Sequence, residues 1–255
     1  MKRVLCEEGG GVANIILARP EKKNALDRVA ADELRLCLEH IAQSPTVRVV
    51  LITAQGDDFC AGADLEALSA MRDATPEQHR ADAQALGDVF VAIRNLPQPV
   101  VAGVQGHALA GGCGLANACD IAIAHENARF GYPEVRVGFV PAMVMTMLRR
   151  SAGEKRAFEL VATGRLIDAD EAERIGLITR VVPAAQFQEE VEQCAARLAE
   201  LPPEAVRLTK RLFYESEGKS FADSLAAGVA GNAEARATSA FKEGVARFTR
   251  RADQP

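Results

Sequence analysis

Residues 100–115, VVAGVQGHALAGGCGL, begin with a short apolar run and continue into a segment rich in glycine and alanine. The apolar run, residues 100–104, is typical of a β-strand buried on both faces. The small residues after it predict a tight turn into a helix that ends near Cys119. Residues 47–53 and 59–65 repeat this order, with a β-branched run followed by FCAGADL. Two such strand–turn–helix units indicate an α/β protein whose strands are largely parallel.

The rest of the chain predicts further helices and strands. We predict strands at residues 4–6, 12–17, 120–124 and 178–182. We predict helices at residues 27–43, 65–95, 141–163 and from 187 to the end. Three glycines at positions 9–11 indicate a hairpin between the first two strands. Asp27 is a capping residue ahead of a helical apolar period. The positions of that period expected in the core are Val29, Leu34, Leu38 and Ile41.

The composition is that of an ordinary globular protein. Of the 255 residues 48% are apolar and 25% charged, which excludes a disordered or fibrous chain. No apolar run approaches the roughly 20 residues of a membrane span. Glu7 and Glu8 follow the start too closely for a secretion signal. We therefore expect a cytoplasmic protein.

Charge and metal-ligating residues argue against other classes of function. The net charge of −5 disfavours nucleic acid or an anionic membrane as a partner, although a few local cations could hold a small anionic ligand. The six cysteines form no CxxC pair, and the four histidines have no carboxylate at a metal-binding spacing. We expect reduced, mostly buried thiols and no metal site.

The two glycine- and alanine-rich turns, residues 59–65 and 106–115, are candidates for a reaction centre. Small residues let a ligand approach the backbone, and free N–H groups at a helix start attract developing negative charge. Two such donors could form an oxyanion hole for a thioester or ester enolate. The alternative is that the glycines serve only tight turns and close packing. The sequence contains no phosphate-binding GxxxxGK[ST], no GxGxxG after the first strand and no GxSxG nucleophile motif.

A third segment, residues 128–135, reads ARFGYPEV. Glu134 follows a proline and precedes apolar residues, so its carboxyl group could be partly desolvated, with a raised pKa suited to proton transfer. The alternative for Glu134 is an acid that only complements a helix dipole.

Taken together, these three segments resemble the crotonase superfamily, also called the enoyl-CoA hydratase/isomerase family. The resemblance covers nearly the whole chain. It extends to RPEKKNAL at 19–26, CD at 119–120, TG at 163–164, ADEAERIGL at 169–177 and VVP at 181–183. It implies an α/β fold, a spiral of ββα repeats with a C-terminal helical trimerisation region. The corresponding divisions are a core with the CoA-thioester site at 1–200 and a helical oligomerisation region at 201–255.

The resemblance also implies a site. The N–H groups of Ala63 and Gly111 would hold the thioester oxygen, and Glu134 would be the acid–base group. The substrate or CoA would lie along Lys22, Lys23, Ala61, Asp64, Leu65, Glu66, Gly112, Tyr132, Phe241 and Lys242, with the two lysines near the CoA phosphates. Coenzyme A enters as part of the substrate, and no separate cofactor is expected. The partners implied are acyl-CoA and further copies of the chain, as a trimer or hexamer.

The sequence departs from the family pattern at two places. Many hydratases of the family carry a glutamate three residues after the oxyanion-hole glycine, where this chain has Gly114. We expect that the side chain of Cys113 cannot replace it. Residues 138–147, GFVPAMVMTM, replace the glycine-rich loop of many hydratases, so the methionines would line a reshaped acyl pocket or repack a core helix. Tyr132 would either hydrogen-bond substrate or water, or fill the pocket wall.

Three functions follow from the resemblance. The first is an enoyl-CoA hydratase that uses Glu134 alone, in fatty acid metabolism; hydratases of branched or methylglutaconyl-type substrates are similar to this chain at both departures. The second is a Δ3,Δ2-enoyl-CoA isomerase, for which one glutamate suffices. The third is a CoA-binding scaffold with little turnover. A decarboxylase or thioester hydrolase on the same fold is a further alternative.

Overall fold

The computed structural model describes residues 2–252. Its strands are β1 (Val4–Gly9), β2 (Val12–Leu17), β3 (Val49–Ala54), β4 (Val100–Val104), β5 (His107–Leu109), β6 (Ile121–His125), β7 (Arg129–Gly131), β8 (Leu166–Asp168) and β9 (Arg180–Val182). Its helices are α1 (Arg28–Gln43), α2 (Leu65–Ala70), α3 (Pro76–Asn95), α4 (Gly111–Ala118), α5 (Val144–Ala152), α6 (Glu154–Thr163), α7 (Ala169–Arg174), α8 (Phe187–Glu200), α9 (Pro203–Glu215), α10 (Phe221–Ala237) and α11 (Ser239–Ala252).

A six-stranded sheet in the order β1-β2-β3-β4-β6-β9 forms the centre of the fold. The hairpin of β1 and β2 is antiparallel, and every other pair in this sheet is parallel. The central strand β4 is buried along its whole length, because helices cover both faces of the sheet. The prediction of an α/β fold with largely parallel strands is therefore confirmed.

A second sheet, β5-β7-β8, was not predicted. Each of its strands has only three residues, too few to produce a recognisable alternation of apolar and polar side chains. Strand β5 lies directly before the glycine-rich turn, and β7 directly before Glu134. This sheet therefore positions two of the three candidate site segments.

Two predicted helices are each divided in the structure. The segment 65–95 forms α2 and α3, because Thr75 caps a new helix in which Pro76 is the first residue and Gln78 completes a capping box. The segment 141–163 contains α5 and α6, separated at Gly153 with φ +75°. A third correction concerns Val29, which is exposed, whereas the other three predicted core positions of α1 are buried.

The C-terminal helices are attached to the core by a buried lysine. Lys210 of α9 donates hydrogen bonds to the carbonyl oxygens of Ile93 and Gln98 at 3.0 and 2.9 Å and forms an ion pair with Asp120 at 2.8 Å. The Tyr214 hydroxyl donates to the same Asp120 at 2.6 Å. Burial lowers the pKa of Lys210, which Asp120 partly offsets. The division at residue 200 stays a prediction.

Apolar side chains on these same helices are exposed. Phe213, Phe221, Leu225 and Val229 are more than half exposed. No helix among residues 2–252 combines the length and the apolar character that crossing a membrane would require.

Candidate active site

A cavity of about 350 Å³ is lined by residues from all three candidate segments. Ala61 and Ala63 come from the turn after β3, Gly111 from the start of α4, and Glu134 from the 3₁₀ turn Pro133–Val137. The remaining wall is apolar except for Arg136. The volume is that of a typical small-molecule pocket.

The N–H group of Ala63 has no acceptor among the described residues. Leu26 pairs with Ala63 as a parallel bridge: its N–H donates to Gly62 O at 2.7 Å, and its carbonyl accepts from Asp64 N–H at 2.8 Å. In this geometry the partners of the bridge are the residues on either side of Ala63, so its own N–H points away from Leu26. That donor is free at the cavity wall, as an oxyanion hole requires.

The N–H group of Gly111 is also free of an intrahelical partner, because it is the first residue of α4. Ala110, before it, has φ +50° and donates its N–H to Gly131 O at 2.8 Å. The two turns are in contact: a Cβ built on Gly62 would lie 3.4 Å from the Gly111 nitrogen. The structure therefore brings together the two predicted donors, which are separated by more than 40 residues of sequence.

Glu134 is buried beside this cavity, with only 8% of the residue exposed. Its Oε2 atom has no hydrogen-bond partner among the described residues, and burial raises the pKa of the carboxyl group. The Phe139 N–H donates to Glu134 O at 3.0 Å and fixes the turn. A desolvated carboxyl group with one free oxygen, at the wall of a cavity, fits proton transfer better than a dipole-complementing surface acid.

The position of the absent family glutamate is closed by apolar side chains. A Cβ on Gly114 would overlap Val144 and lie 3.2 Å from Phe90 Cζ. The neighbouring Cys113 is fully buried, and burial raises the pKa of its thiol to about 12. As expected, Cys113 does not line the cavity and does not supply the absent group.

Tyr132 does not reach the cavity, so the expectation of a substrate contact is corrected. The residue is completely buried in the main core. Its hydroxyl lies beside the Cys113 thiol and the Asn117 amide but makes a hydrogen bond of good geometry with neither. The alternative, that Tyr132 fills the pocket wall, does not hold either, because the residue belongs to the core and does not line the cavity.

Gly112 packs against the protein rather than against the cavity. A Cβ there would overlap the Cys60 carbonyl oxygen and lie 2.7 Å from the Cys60 sulfur. This close packing between the two turns is possible only with glycine, and the predicted ligand contact of Gly112 stays a prediction.

The carboxylate of Asp64 is likewise occupied by the protein. It accepts hydrogen bonds from the N–H groups of Glu66 and Ala67 at 2.9 and 3.2 Å and forms an ion pair with Arg19 at 2.8 Å. Burial alone would raise its pKa, but these donors together lower it. The Asp64 side chain caps α2, so only its backbone is available to a ligand. A contact between that backbone and CoA stays a prediction.

The predicted CoA path begins at a charged surface next to the cavity. Lys22 pairs with Glu66, and Lys23 Nζ lies 3.4 Å from Asp58. Ala61 and the exposed Leu65 line the cavity itself. Phe241 and Lys242 are exposed on α11 and line none of the cavities next to Glu134.

Residues that support the site were missed from the sequence. Arg19, in the loop before α1, forms an ion pair with Asp64. The Asn24 side chain donates hydrogen bonds to the carbonyl oxygens of Gln55 and Asp58 at 2.9 and 2.8 Å. Both lie in the RPEKKNAL motif, which was the available signal. Of the three methionines at 143, 145 and 147, only Met143 lines the cavity.

The described residues offer no candidate metal site. Within residues 2–252 there is no group of three or more His, Cys, Asp or Glu side chains able to hold a metal ion.

Comparison with known proteins gives one consistent result. A family model described as enoyl-CoA hydratase/isomerase matches residues 7–255. A putative enoyl-CoA hydratase of Thermus thermophilus is 39% identical over 241 residues, covering 94% of this chain and 95% of the relative. The probable enoyl-CoA hydratase echA8 of Mycobacterium tuberculosis is 35% identical over 89% of this chain and 85% of its own.

Solved structures give the same result. An enoyl-CoA hydratase of Mycobacterium smegmatis superposes with a TM-score of 0.94 at 32% identity, over 98% of this chain and 97% of the other. Human enoyl-CoA hydratase domain-containing protein 3 superposes with a TM-score of 0.94 at 32% identity, over 98% of both chains.

Proposed function

Because the chain belongs to the enoyl-CoA hydratase/isomerase family and has the crotonase fold, we propose that it is an enoyl-CoA hydratase, which adds water across the double bond of an α,β-unsaturated acyl-CoA. One observation carries the proposal: two backbone N–H groups without acceptors, at Ala63 and Gly111, share a cavity with the desolvated carboxyl group of Glu134. The names of the relatives support hydration in particular.

The reaction follows from this arrangement. The thioester oxygen accepts hydrogen bonds from both N–H groups, which stabilise the enolate formed when the oxygen of water bonds to C3. Glu134, as the carboxylate, takes one proton from that water and then delivers it to C2, where the enolate electron pair forms the new C–H bond. One donor in such a site typically contributes ~3–4 kcal/mol of transition-state stabilisation.

A second candidate, Δ3,Δ2-enoyl-CoA isomerisation, is favoured by the closed position at Gly114. Val144 and Phe90 occupy the space where a second carboxylate would help to hold a water molecule, and a buried water needs two to four polar partners. Isomerisation needs no water: Glu134 removes a proton from C2 and returns it to C4, and the same N–H groups stabilise the dienolate between these steps.

Two spectrophotometric assays distinguish the candidates. Hydration removes the conjugated ultraviolet absorbance of crotonyl-CoA, and isomerisation of a 3-enoyl-CoA creates it. Hydration faster than isomerisation supports the first proposal, and the reverse supports the second. If the absorbance changes in neither assay but acyl-CoA still binds, the protein is a CoA-binding scaffold. Release of free CoA would instead support a thioester hydrolase. A short branched enoyl-CoA bearing a terminal carboxylate tests the methylglutaconyl-type substrate.

The decisive variant is Glu134→Gln. We expect it to lower kcat at least about 100-fold, the usual contribution of a general acid–base group, while the Kd for butyryl-CoA changes little. Glu173→Gln, at an exposed position, is the matched control and keeps full activity. Wild-type turnover in Glu134→Gln would refute the assignment.

We propose that the CoA part of the substrate binds along the charged residues Lys22, Lys23 and Glu66. The neighbouring Ala61 and Leu65, which line the cavity, would contact it as well. Local cations reconcile an acidic chain with a polyanionic ligand. Replacing Lys22 and Lys23 by glutamine should raise KM for the CoA thioester severalfold, with kcat unchanged and a weaker salt dependence of kcat/KM. An unchanged KM would place the CoA phosphates elsewhere.

We also propose that the exposed apolar side chains of α9–α11 mediate self-association to a trimer or hexamer, in which Phe241 and Lys242 reach a bound CoA. Phe213, Phe221, Leu225 and Val229 on these helices are each more than half exposed, and large exposed apolar surface commonly marks an interface. Light scattering measures the assembly directly. A monomer at micromolar concentration would contradict the proposal.

A further inference from the structure

Two of the six cysteines lie outside the core, on the first strand and the first helix. Cys6 of β1 is exposed, and Cys37 of α1 is partly buried. The other four cysteines, at positions 60, 113, 119 and 194, are buried. All six belong to the described part of the chain, so Cys6 and Cys37 are its two thiols most accessible to a solute.

Helix α1 runs alongside β1, and polar contacts join the two elements at two points. The Glu33 carboxylate accepts hydrogen bonds from the N–H groups of Arg3 and Val4 at 2.7 and 2.9 Å. Further along both elements, His40 Nε2 lies 3.3 Å from Glu8 Oε1. The strand and the helix therefore advance in the same direction, side by side.

Cys6 and Cys37 lie between these two points of contact. Alternate side chains share one face of a strand, so Cys6 is on the same face of β1 as Val4 and Glu8. Cys37 follows Glu33 by four residues, which places it about one turn further along the same face of α1. The two thiol groups are accordingly in hydrogen-bonding contact. A disulfide forms only between cysteines whose side chains approach each other in this way.

Contact, rather than high intrinsic reactivity, distinguishes this pair. Burial raises the pKa of the Cys37 thiol to about 11 and also raises the pKa of Cys6. Little of either thiol is therefore ionised near neutral pH, and oxidation by a solute is slow. Cys60 and Cys113 are also neighbours, but both are completely buried and out of reach of a solute.

We propose that Cys6 and Cys37 form a redox modification site, in which a peroxide converts the two thiols into one intramolecular disulfide that fastens α1 to β1. The sulfur of Cys6, the more exposed residue, attacks a peroxide oxygen, so that an S–O bond forms and the O–O bond breaks. The sulfur of Cys37 then attacks that of Cys6, so that the S–S bond forms and the S–O bond breaks. The peroxide is reduced to two water molecules, which carry away both thiol protons, and the two sulfurs together lose two electrons. A dithiol reverses the reaction by disulfide exchange.

The disulfide should stabilise the fold. It closes the loop 6–37, which contains β2 and the connection to α1, and a cross-link over a loop of this length restricts the unfolded chain. Strand β1 is outermost in its sheet and pairs with β2 alone, so it can adjust towards α1 without losing a second neighbouring strand.

The test identifies the link and measures its effect. The protein is treated with hydrogen peroxide, its remaining thiols are alkylated, and it is digested with trypsin. The tryptic peptides 4–22 and 36–48 each contain one of the two cysteines, so mass spectrometry recognises their cross-link. We expect this cross-link alone, its removal by dithiothreitol, and a Tm at least about 5 °C above that of the reduced protein.

Variants separate the disulfide from other effects of peroxide. Cys6→Ser, at an exposed position, should show neither the cross-link nor the rise in Tm, and Cys37→Ala should behave in the same way. Cys194→Ser, which removes a buried thiol of α8, is the matched control and should keep both.

Three results would overturn the proposal. The first is oxidation of Cys6 to a sulfinic or sulfonic acid without a cross-link. The second is a disulfide through Cys6 between two copies of the chain. The third is a cross-link of Cys6 to Cys37 with an unchanged or lower Tm, because such a bond would strain α1 and β1 instead of fastening them. None of these measurements depends on enzyme activity, so the proposed function is tested separately.

Discussion

The two turns that present the candidate oxyanion donors are held in place by different forces. The Ala63 turn is fixed by charge and hydrogen bonds, since Asp64 caps α2 and pairs with Arg19. The Gly111 turn is fixed by packing, because Gly112 fits against Cys60 with no space for a Cβ. The first turn should therefore be sensitive to loss of charge, and the second to added volume.

This difference also explains what each turn leaves accessible. The Ala63 turn is followed by the short helix α2, which has no buried residue and adjoins the charged surface of Lys22 and Glu66. The Gly111 turn is followed by α4, whose residues are nearly all buried. One donor thus lies on the exposed side of the cavity and the other on the core side.

The largest expected effect is that of added volume in the Gly111 turn. Gly112→Ala forces the two turns apart, because its Cβ would overlap Cys60. We expect kcat/KM to fall about 100-fold, the usual cost of displacing a reacting group by an ångström, with a lower Tm. Gly228→Ala, in α10 with nothing near its Cβ position, is the control and should be neutral or slightly stabilising. A fully active Gly112→Ala enzyme would show that packing does not position the donor.

A smaller effect is expected when the family glutamate is restored in the same helix. Gly114→Glu introduces a side chain where Val144 lies, and overpacking of this kind costs about 1–3 kcal/mol of unfolding free energy. The double variant with Val144→Ala should recover part of this loss in a denaturant titration. Equal stabilities of the single variant and the wild type would mean that the helix can move away from α5.

The Ala63 turn is tested by removing charge with the volume kept. Asp64→Asn retains a capping side chain but loses the ion pair with Arg19, whereas Asp64→Ala loses both. We expect a loss of about 1–2 kcal/mol in Asp64→Ala and less in Asp64→Asn. The cap and the ion pair also hold the Ala63 donor, so kcat should fall more than KM rises. Unchanged kcat in both variants would leave Asp64 a purely structural role.

The same carboxylate predicts a pH dependence of stability. Because its folded-state pKa is lowered, its stabilisation is complete above the unfolded pKa of ~3.9 and is lost as pH falls through the folded value. The difference in unfolding free energy between the wild type and Asp64→Asn should therefore shrink in acid. A constant difference would contradict this explanation.

The smallest effect on stability concerns Glu134, whose pKa is shifted in the opposite direction. Burial raises its folded-state pKa, so the folded state binds more protons than the unfolded state, and stability falls as pH rises from the ordinary value of ~4.3 through the folded pKa. Glu134→Gln should raise Tm near neutral pH, and by less at pH ~4, where less of the carboxyl group is ionised in either state. The acid limb of kcat/KM should lie above the ordinary glutamate pKa. A Tm gain that does not depend on pH would exclude ionisation as its cause.

Local sequence accounted for most of the central fold. The buried run 100–104 is β4, Asp27 caps α1 as predicted, and the glycines at 9–11 connect a hairpin. These features depend on a few neighbouring residues, so their signals are contained in the sequence itself. The sheet β5-β7-β8 was missed because its strands are defined only by their partners. The break at Thr75 was missed although Thr75, Pro76 and Gln78 carried its signal.

For the candidate site, the sequence by itself determined which residues bear the chemistry: Ala63, Gly111 and Glu134 stand in segments whose residue types suit it. Only the tertiary structure decided that these three line one cavity, that Tyr132 lies in the core and that the Asp64 carboxylate forms an ion pair with Arg19. The physical reason is that residue type fixes what a group can do, whereas burial and unpaired hydrogen-bonding capacity depend on neighbours that are far away in sequence.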